Sequence, residues 1–217
     1  MLENKHQNLY FYMTNVVKYF GPPGTGKTTT LMNIIEKSLD EGVAPEKIAF
    51  ISFSVKAAEE GKNRANIRLG LGFDEMPYFC TSHAFCKRIM GISQVMGGRD
   101  VFDFLEDYEA WESFRLSRVP VVYSFADMIN KFLDDGEAPE LDLLIVDEAQ
   151  DLAELNWRLV EKLALNAKKT YIAGDDDQAI YEWNGAKPQR FVNYEGESIV
   201  LDQSYRIPGK VHPIAER

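Results

Sequence analysis

Cysteine, histidine and basic charge are all scarce in this 217-residue chain, and each shortage excludes something. The only cysteines, Cys80 and Cys86, flank His83. A structural zinc site needs four such ligands, so the trio reads as two reduced, partly buried thiols beside a histidine. No apolar run reaches the roughly 18 residues that a membrane helix requires, so nothing in the sequence spans a bilayer. The opening residues, Met1 to His6, lack the continuous apolar stretch of a signal peptide. The expected location is therefore cytoplasmic, or a host cytoplasm if the gene is phage-encoded. Basic charge is in deficit too. The net charge of −10 leaves no basic stripe of the kind that marks a general nucleic-acid binder. Much of the acid lies in Glu106 to Glu112 and in Asp134 to Asp142.

What is present is an ordinary globular balance, 45% hydrophobic and 27% charged, long enough to bury a core. Val16 to Phe20 is a short apolar run that stops at Gly21. A glycine-rich turn follows, and then Leu31, Ile34, Ile35 and Leu39 recur at helical spacing. Ile48 to Phe53 reads as a buried strand, Val55 to Arg64 as a polar helix and Tyr78 to Thr81 as a third strand. Ser82 is placed to cap the helix that carries Phe85 and Ile89. From Gly91 to about Pro139 aromatic and acidic residues alternate irregularly, with helical stretches near Val101 to Phe114 and Phe125 to Leu133. Leu141 to Val146 is the next strand, Leu152 to Leu163 a helix, Lys169 to Ala173 a strand and Ser198 to Leu201 another. Strands alternating with helices predict an α/β fold, a mostly parallel sheet flanked by helices. Ligands of such a sheet gather at the carboxyl ends of its strands.

Two motifs fall at such ends. Gly21-Pro22-Pro23-Gly24-Thr25-Gly26-Lys27-Thr28 matches the phosphate-loop pattern completely, with Thr29 next. Its glycines let successive N–H groups turn inward on an anion, and Lys27 reaches the β and γ phosphates while Thr28 offers a hydroxyl to Mg²⁺. The second motif is Leu143-Leu144-Ile145-Val146 running into Asp147-Glu148. The first carboxylate is placed to hold Mg²⁺ and the second to take a proton from an attacking water. The cofactors expected are ATP and Mg²⁺. After the next strand comes Gly174-Asp175-Asp176-Asp177-Gln178, where Gln178 can reach a γ-phosphate. Tyr181 and Trp183 follow; they suit base stacking, with domain packing as the alternative for Trp183.

Taken together, GPPGTGKTT (21–29), ISFSVKAA (51–58), TSHAF (81–85), IVDEAQD (145–151), GDDDQAIYEWNGA (174–186) and LDQSYRIP (201–208) resemble superfamily 1A DNA helicases of the UvrD/Rep/PcrA type. All six stand in that family's order. The resemblance implies a RecA-like P-loop NTPase fold with a small helical insertion. It divides the chain into an ATP-binding motor domain (1–90 and 140–205), the insertion (91–139) and the start of a second motor domain (206–217). It implies that Lys27, Glu148, Gln178 and Arg206 serve catalysis and that Tyr205 stacks on the adenine. Thr28 and Asp147 would hold the metal. Phe53, Ser54, His83, Phe85 and Trp183 would meet single-stranded DNA.

Three departures qualify these expectations. Gln7 does not sit in the family's adenine-reading pattern, so the base is expected to be read weakly. Asn184 stands where the family has an arginine. The remainder of the second motor domain, with a further arginine, is not in this sequence, and such an arginine is worth roughly 10³–10⁵ in turnover in switch enzymes. The expected function is the ATP-binding and hydrolysing lobe of an ATP-dependent 3′–5′ DNA helicase, partnered by DNA and by its second motor domain. By itself the lobe is expected to turn over weakly or not at all. Two other readings are a non-catalytic nucleotide-binding module and a P-loop ATPase or phosphotransferase acting on a small molecule.

Overall fold

The computed structural model describes residues 15–93, 95, 113–114, 116–118, 121–175, 177 and 185–202. They form six strands: β1 (Val16–Phe20), β2 (Ile48–Ser52), β3 (Tyr78–Thr81), β4 (Leu141–Asp147), β5 (Ala167–Gly174) and β6 (Glu197–Val200). The helices are α1 (Lys27–Asp40), α2 (Val55–Leu69), α3 (Ser82–Ile89), α4 (Phe125–Asp135), α5 (Glu154–Ala164) and α6 (Pro188–Val192).

All the strands pair in parallel, in the order β3-β2-β4-β5-β1-β6. This is the α/β architecture that alternation of strand and helix predicts, a RecA-like P-loop sheet with helices on both faces. Central strands covered on both faces lose the apolar–polar alternation, which is why β2 (IAFIS) is buried at every position. On one face Leu31, Met32 and Ile35 of α1 and Ala65 of α2 pack on Ile48, Phe50, Phe79, Leu143, Ile145 and Ala173. The other face carries α5, which packs on β4 and β5, and α6, whose Phe191 stacks on Phe20 at 4.4 Å between ring centroids. Lys18, also on that face and 4% exposed, donates from Nζ to the carbonyl of Val192 at 2.8 Å.

The chain divides into two compact units, 1–81 with 138–217, and 82–137. The smaller unit begins at Ser82 rather than Gly91 because α3 packs on α4. Phe85 meets Phe132 edge-on at 5.6 Å, and His83 lies against Phe125 at 4.8 Å. α4 starts from a reciprocal cap: Ser124 Oγ accepts from the Asp127 N–H, and Asp127 Oδ2 accepts from the Ser124 N–H. Ser82 is the first residue of its helix, not a cap before it. The stretch expected to be helical from Val101 to Phe114 lies almost wholly outside the described residues.

Candidate functional site

Register brings the carboxyl ends of the larger unit's strands to one rim. Phe20 pairs with Gly174, and Ser52 pairs with both Asp147 and Thr81. The phosphate-loop residues leave β1 at this rim. Gly24 and Gly26 have φ of 82° and 87°, in the left-handed region where a side chain is strained. Thr25, 6% exposed, ties the turn by donating from Oγ1 to the Pro22 carbonyl at 2.9 Å. Gly21 is buried, Pro22 half-buried, and Pro23 and Thr29 are exposed.

α1 then begins with no side-chain cap and no acid in its first turn. Its leading N–H groups have no acceptor within the helix, and the positive end of its dipole is uncovered. Such a helix start has the donors and the field that suit an anion. Lys27, half-buried, donates from Nζ to the carbonyls of Gly21 and Pro22.

Asp147 ends β4 at 4% exposure. Its Oδ2 accepts from Thr28 Oγ1 at 3.3 Å, which joins the phosphate loop to the acidic strand end. Its Oδ1 accepts from the Glu148 N–H at 3.0 Å. Burial, and secondly the charge of Glu148, push its pKa up to about 7. Glu148 is the one non-glycine residue with positive φ (55°) among the described residues. Such a conformation costs on the order of 1–3 kcal/mol, and it marks the point where the chain leaves the strand. Burial, then Glu148, raise Asp151 to about 6.

Gln150 is a site residue that sequence reasoning did not single out. It is 4% exposed; its Nε2 donates to Glu148 Oε2 at 2.9 Å, and its Oε1 accepts from the Asp175 N–H at 3.0 Å. One buried amide thus fixes the Glu148 carboxylate and the start of the loop after β5. The signal was its place in IVDEAQD, but its partner just past β5 is visible only once β4 and β5 are adjacent.

The expected DNA-contacting residues are placed unequally. Phe53 is half-buried just past β2, and Ser54 is exposed, its Oγ capping α2 by accepting from the Ala57 N–H at 3.1 Å. In the smaller unit His83 is half-buried, and its desolvation holds it below the usual histidine range. Phe85 is the exception: at 0% exposure its ring is core of that unit, packed edge-on against Phe132. Gln178, Trp183, Tyr205 and Arg206 lie outside the described residues, as do Tyr181 and Asn184. Cys80, half-buried, and Cys86, buried, are not joined in a disulfide. No cluster of three or more His, Cys, Asp or Glu side chains suited to a metal occurs among the described residues. Nor is any described helix long and apolar enough to cross a membrane.

A phosphate loop, an uncapped helix and an acidic strand end meet at this rim, and comparison with known proteins assigns the chain's family. The family described as AAA domain matches residues 9–184. The chain belongs to that family. This AAA domain is similar to a probable DNA helicase II homolog of Mycoplasma capricolum, 22% identical over 88% of this chain and 37% of that protein. It is also similar to the ATP-dependent DNA helicase PcrA of Bacillus subtilis, at 27% identity over 84% of this chain and 34% of that one. PcrA of Staphylococcus aureus matches at 26% identity over 84% of this chain and 35% of its own length. The chain thus spans about a third of the length of the curated relatives it matches. The resemblance to a superfamily 1 UvrD/PcrA-like N-terminal lobe is borne out. Among solved structures it is loosely like the Pyrococcus furiosus Hef helicase domain, with 14% identity and TM-score 0.45 over 91% of this chain and 37% of that one. That likeness is too slight to carry weight.

Proposed function

We propose that this chain is the ATP-binding and hydrolysing lobe of a 3′–5′ DNA helicase motor, in which Mg·ATP turnover drives movement along single-stranded DNA. The observation that carries the reading is the contact between Thr28 and Asp147 at the head of an uncapped α1. It gathers a phosphate cradle, a lysine and a buried carboxylate at one strand rim. The family membership and the helicase relatives support the remainder.

The residues present fit magnesium. Thr28 Oγ1 and Asp147 Oδ2 are hard oxygen donors 3.3 Å apart, and magnesium in such sites takes few protein ligands besides the substrate's phosphates. When bound, it would neutralise charge on the β and γ phosphates. The chain's own groups do the rest. The first turn of α1 orients the phosphates, and Lys27 leaves its loop carbonyls for them. Glu148, steadied by Gln150, takes the proton of the attacking water. Gln178, Tyr205 and Arg206 are assigned the γ-phosphate, the adenine and the transferring charge respectively. Phe53, Ser54, His83 and Trp183 are assigned to DNA, with a second motor domain completing the grip. Phe85 supports its segment from within.

The test is Mg·ATP hydrolysis with and without single-stranded DNA, for the chain and for Glu148→Gln. Turnover that DNA stimulates and the variant loses is the expected result. Hydrolysis indifferent to DNA would sink the motor reading. Binding without turnover in either protein would leave a nucleotide-binding module.

A further inference from the structure

β2 ends in a hydroxyl that the chemistry described so far leaves unused. Ser52 is 0% exposed, and its Oγ has no hydrogen-bond partner among the described residues. A buried hydroxyl without a partner loses its water and gains nothing in return, whereas alanine at that position would avoid the loss. Its neighbours give the unused group a destination. Ser52 is the register partner of Asp147 on β4, and on its other side of Thr81 on β3. Ile48 and Phe50 share the face that packs under α1 with Leu143 and Ile145. Side chains alternate along a strand, so Ser52 and Asp147, each two positions further on, fall on that same face. Across the rim therefore runs a buried polar row, Thr81, Ser52, Asp147, with exposures of 8%, 0% and 4%.

Asp147 has capacity to spare. It accepts from Thr28 and from the Glu148 N–H. An ionised carboxylate offers about four acceptor positions, so some remain free. A spare donor and a spare acceptor thus sit on adjacent strands, in register and facing the same way. A turn of the serine about χ1, between staggered wells, re-aims the hydroxyl.

We propose that Ser52 is a positioning residue for the metal carboxylate: its hydroxyl donates to Asp147 and holds that side chain in the orientation that grips magnesium. This deepens the proposed function and rests on its magnesium–nucleotide site. Because Phe53 and Ser54 follow directly on β2, the same hydroxyl ties the metal carboxylate to the head of the segment assigned to DNA.

The experiment uses the whole chain and a fluorescent ATP analogue, bound without metal and then titrated with MgCl₂. The variants are Ser52→Ala, Ser52→Cys and Ser52→Thr, each also melted without metal. Alanine and cysteine are expected to raise the Mg²⁺ concentration for half-maximal enhancement roughly tenfold or more, the worth of one charge-assisted hydrogen bond. Their metal-free nucleotide affinity and melting temperature should hold or improve, and threonine should restore the metal response. An unchanged magnesium response in Ser52→Ala overturns the proposal. So does a parallel loss of metal-free affinity, which would mark a structural role. If the parent chain binds the analogue with no magnesium dependence, the proposed function itself fails and takes this inference with it.

Discussion

Asp147 keeps a carboxyl where ionisation is penalised, and that penalty has a direction in pH. In the folded, metal-free chain its pKa is about 7, against about 3.9 for an unperturbed aspartate. The folded state therefore binds the proton more tightly. Stability is highest below about pH 4, falls as pH rises toward 7, and is level above that. Asp151, raised to about 6, adds a slope of the same sign over a shorter range. Asp147→Asn is expected to flatten the profile and to stabilise the metal-free chain at pH 8 by on the order of 2–4 kcal/mol. Urea unfolding at pH 5 and pH 8 checks this; a variant less stable than the parent at pH 8 would refute it. Gln150→Ala should act in the opposite sense. It strands the Asp175 N–H and frees Glu148, costing about 1–3 kcal/mol and lowering turnover, with Gln150→Glu no substitute because it cannot donate. The phosphate loop and the Asp147-Glu148 pair were legible in the sequence because their chemistry is local. Gln150 and Ser52 were not, since each draws its meaning from a neighbouring strand that sequence distance conceals.

At the scale of elements, strands were read more closely than helix ends. β3 spans the residues that the sequence predicts, and β4 ends one residue later, at Asp147, because that residue still pairs with Ser52. α2 outruns its expected end at Arg64 and stops at Leu69, where Gly70 takes a left-handed φ of 70°. That cap was readable; the polar surface of the helix obscured it. α5 begins at Glu154, not Leu152, because a single 3₁₀ turn, Ala149–Asp151, first carries the chain off β4. The resemblance assigns Phe85 to DNA, whereas its ring packs on Phe132, a distant partner on α4. α2 also hides a packing constraint. A Cβ at Gly61 would stand 2.5 Å from the ring of Phe50, itself 0% exposed. Gly61→Ala gains about 1 kcal/mol of helix propensity but meets an overpacking cost of about 1–3 kcal/mol. Overpacking should win, lowering the midpoint of thermal unfolding; a rise would mean that Phe50 can move aside.

For the molecule as a whole, a parallel α/β sheet was legible from alternating strands and helices, but the strand order was not. Order is decided by which faces the crossovers cover, and several apolar runs look alike in sequence. The two units invite a test of where nucleotide acts. At a hundredfold excess over Kd, Mg·ATP should stabilise the chain by about 2.7 kcal/mol. Hydrogen exchange should slow at Gly21 to Thr29 and Asp147 to Asp151, with little change in α3 and α4. Equal protection throughout residues 82–137 would argue against a site confined to the larger unit.

The order β4-β5-β1-β6 also sets a timetable for synthesis. Of the six strands β1 is translated earliest, yet its two neighbours are the latest two of the six, β5 opening at Ala167 and β6 at Glu197. A ribosome adding roughly 5–20 residues per second needs on the order of 7–30 s to travel from one to the other. Through that interval the strand beneath the phosphate loop has neither edge covered. The loop thus exists long before the strands that give it a shape. A nascent chain halted before Ala167 carries every letter of the motif and cannot grip a phosphate.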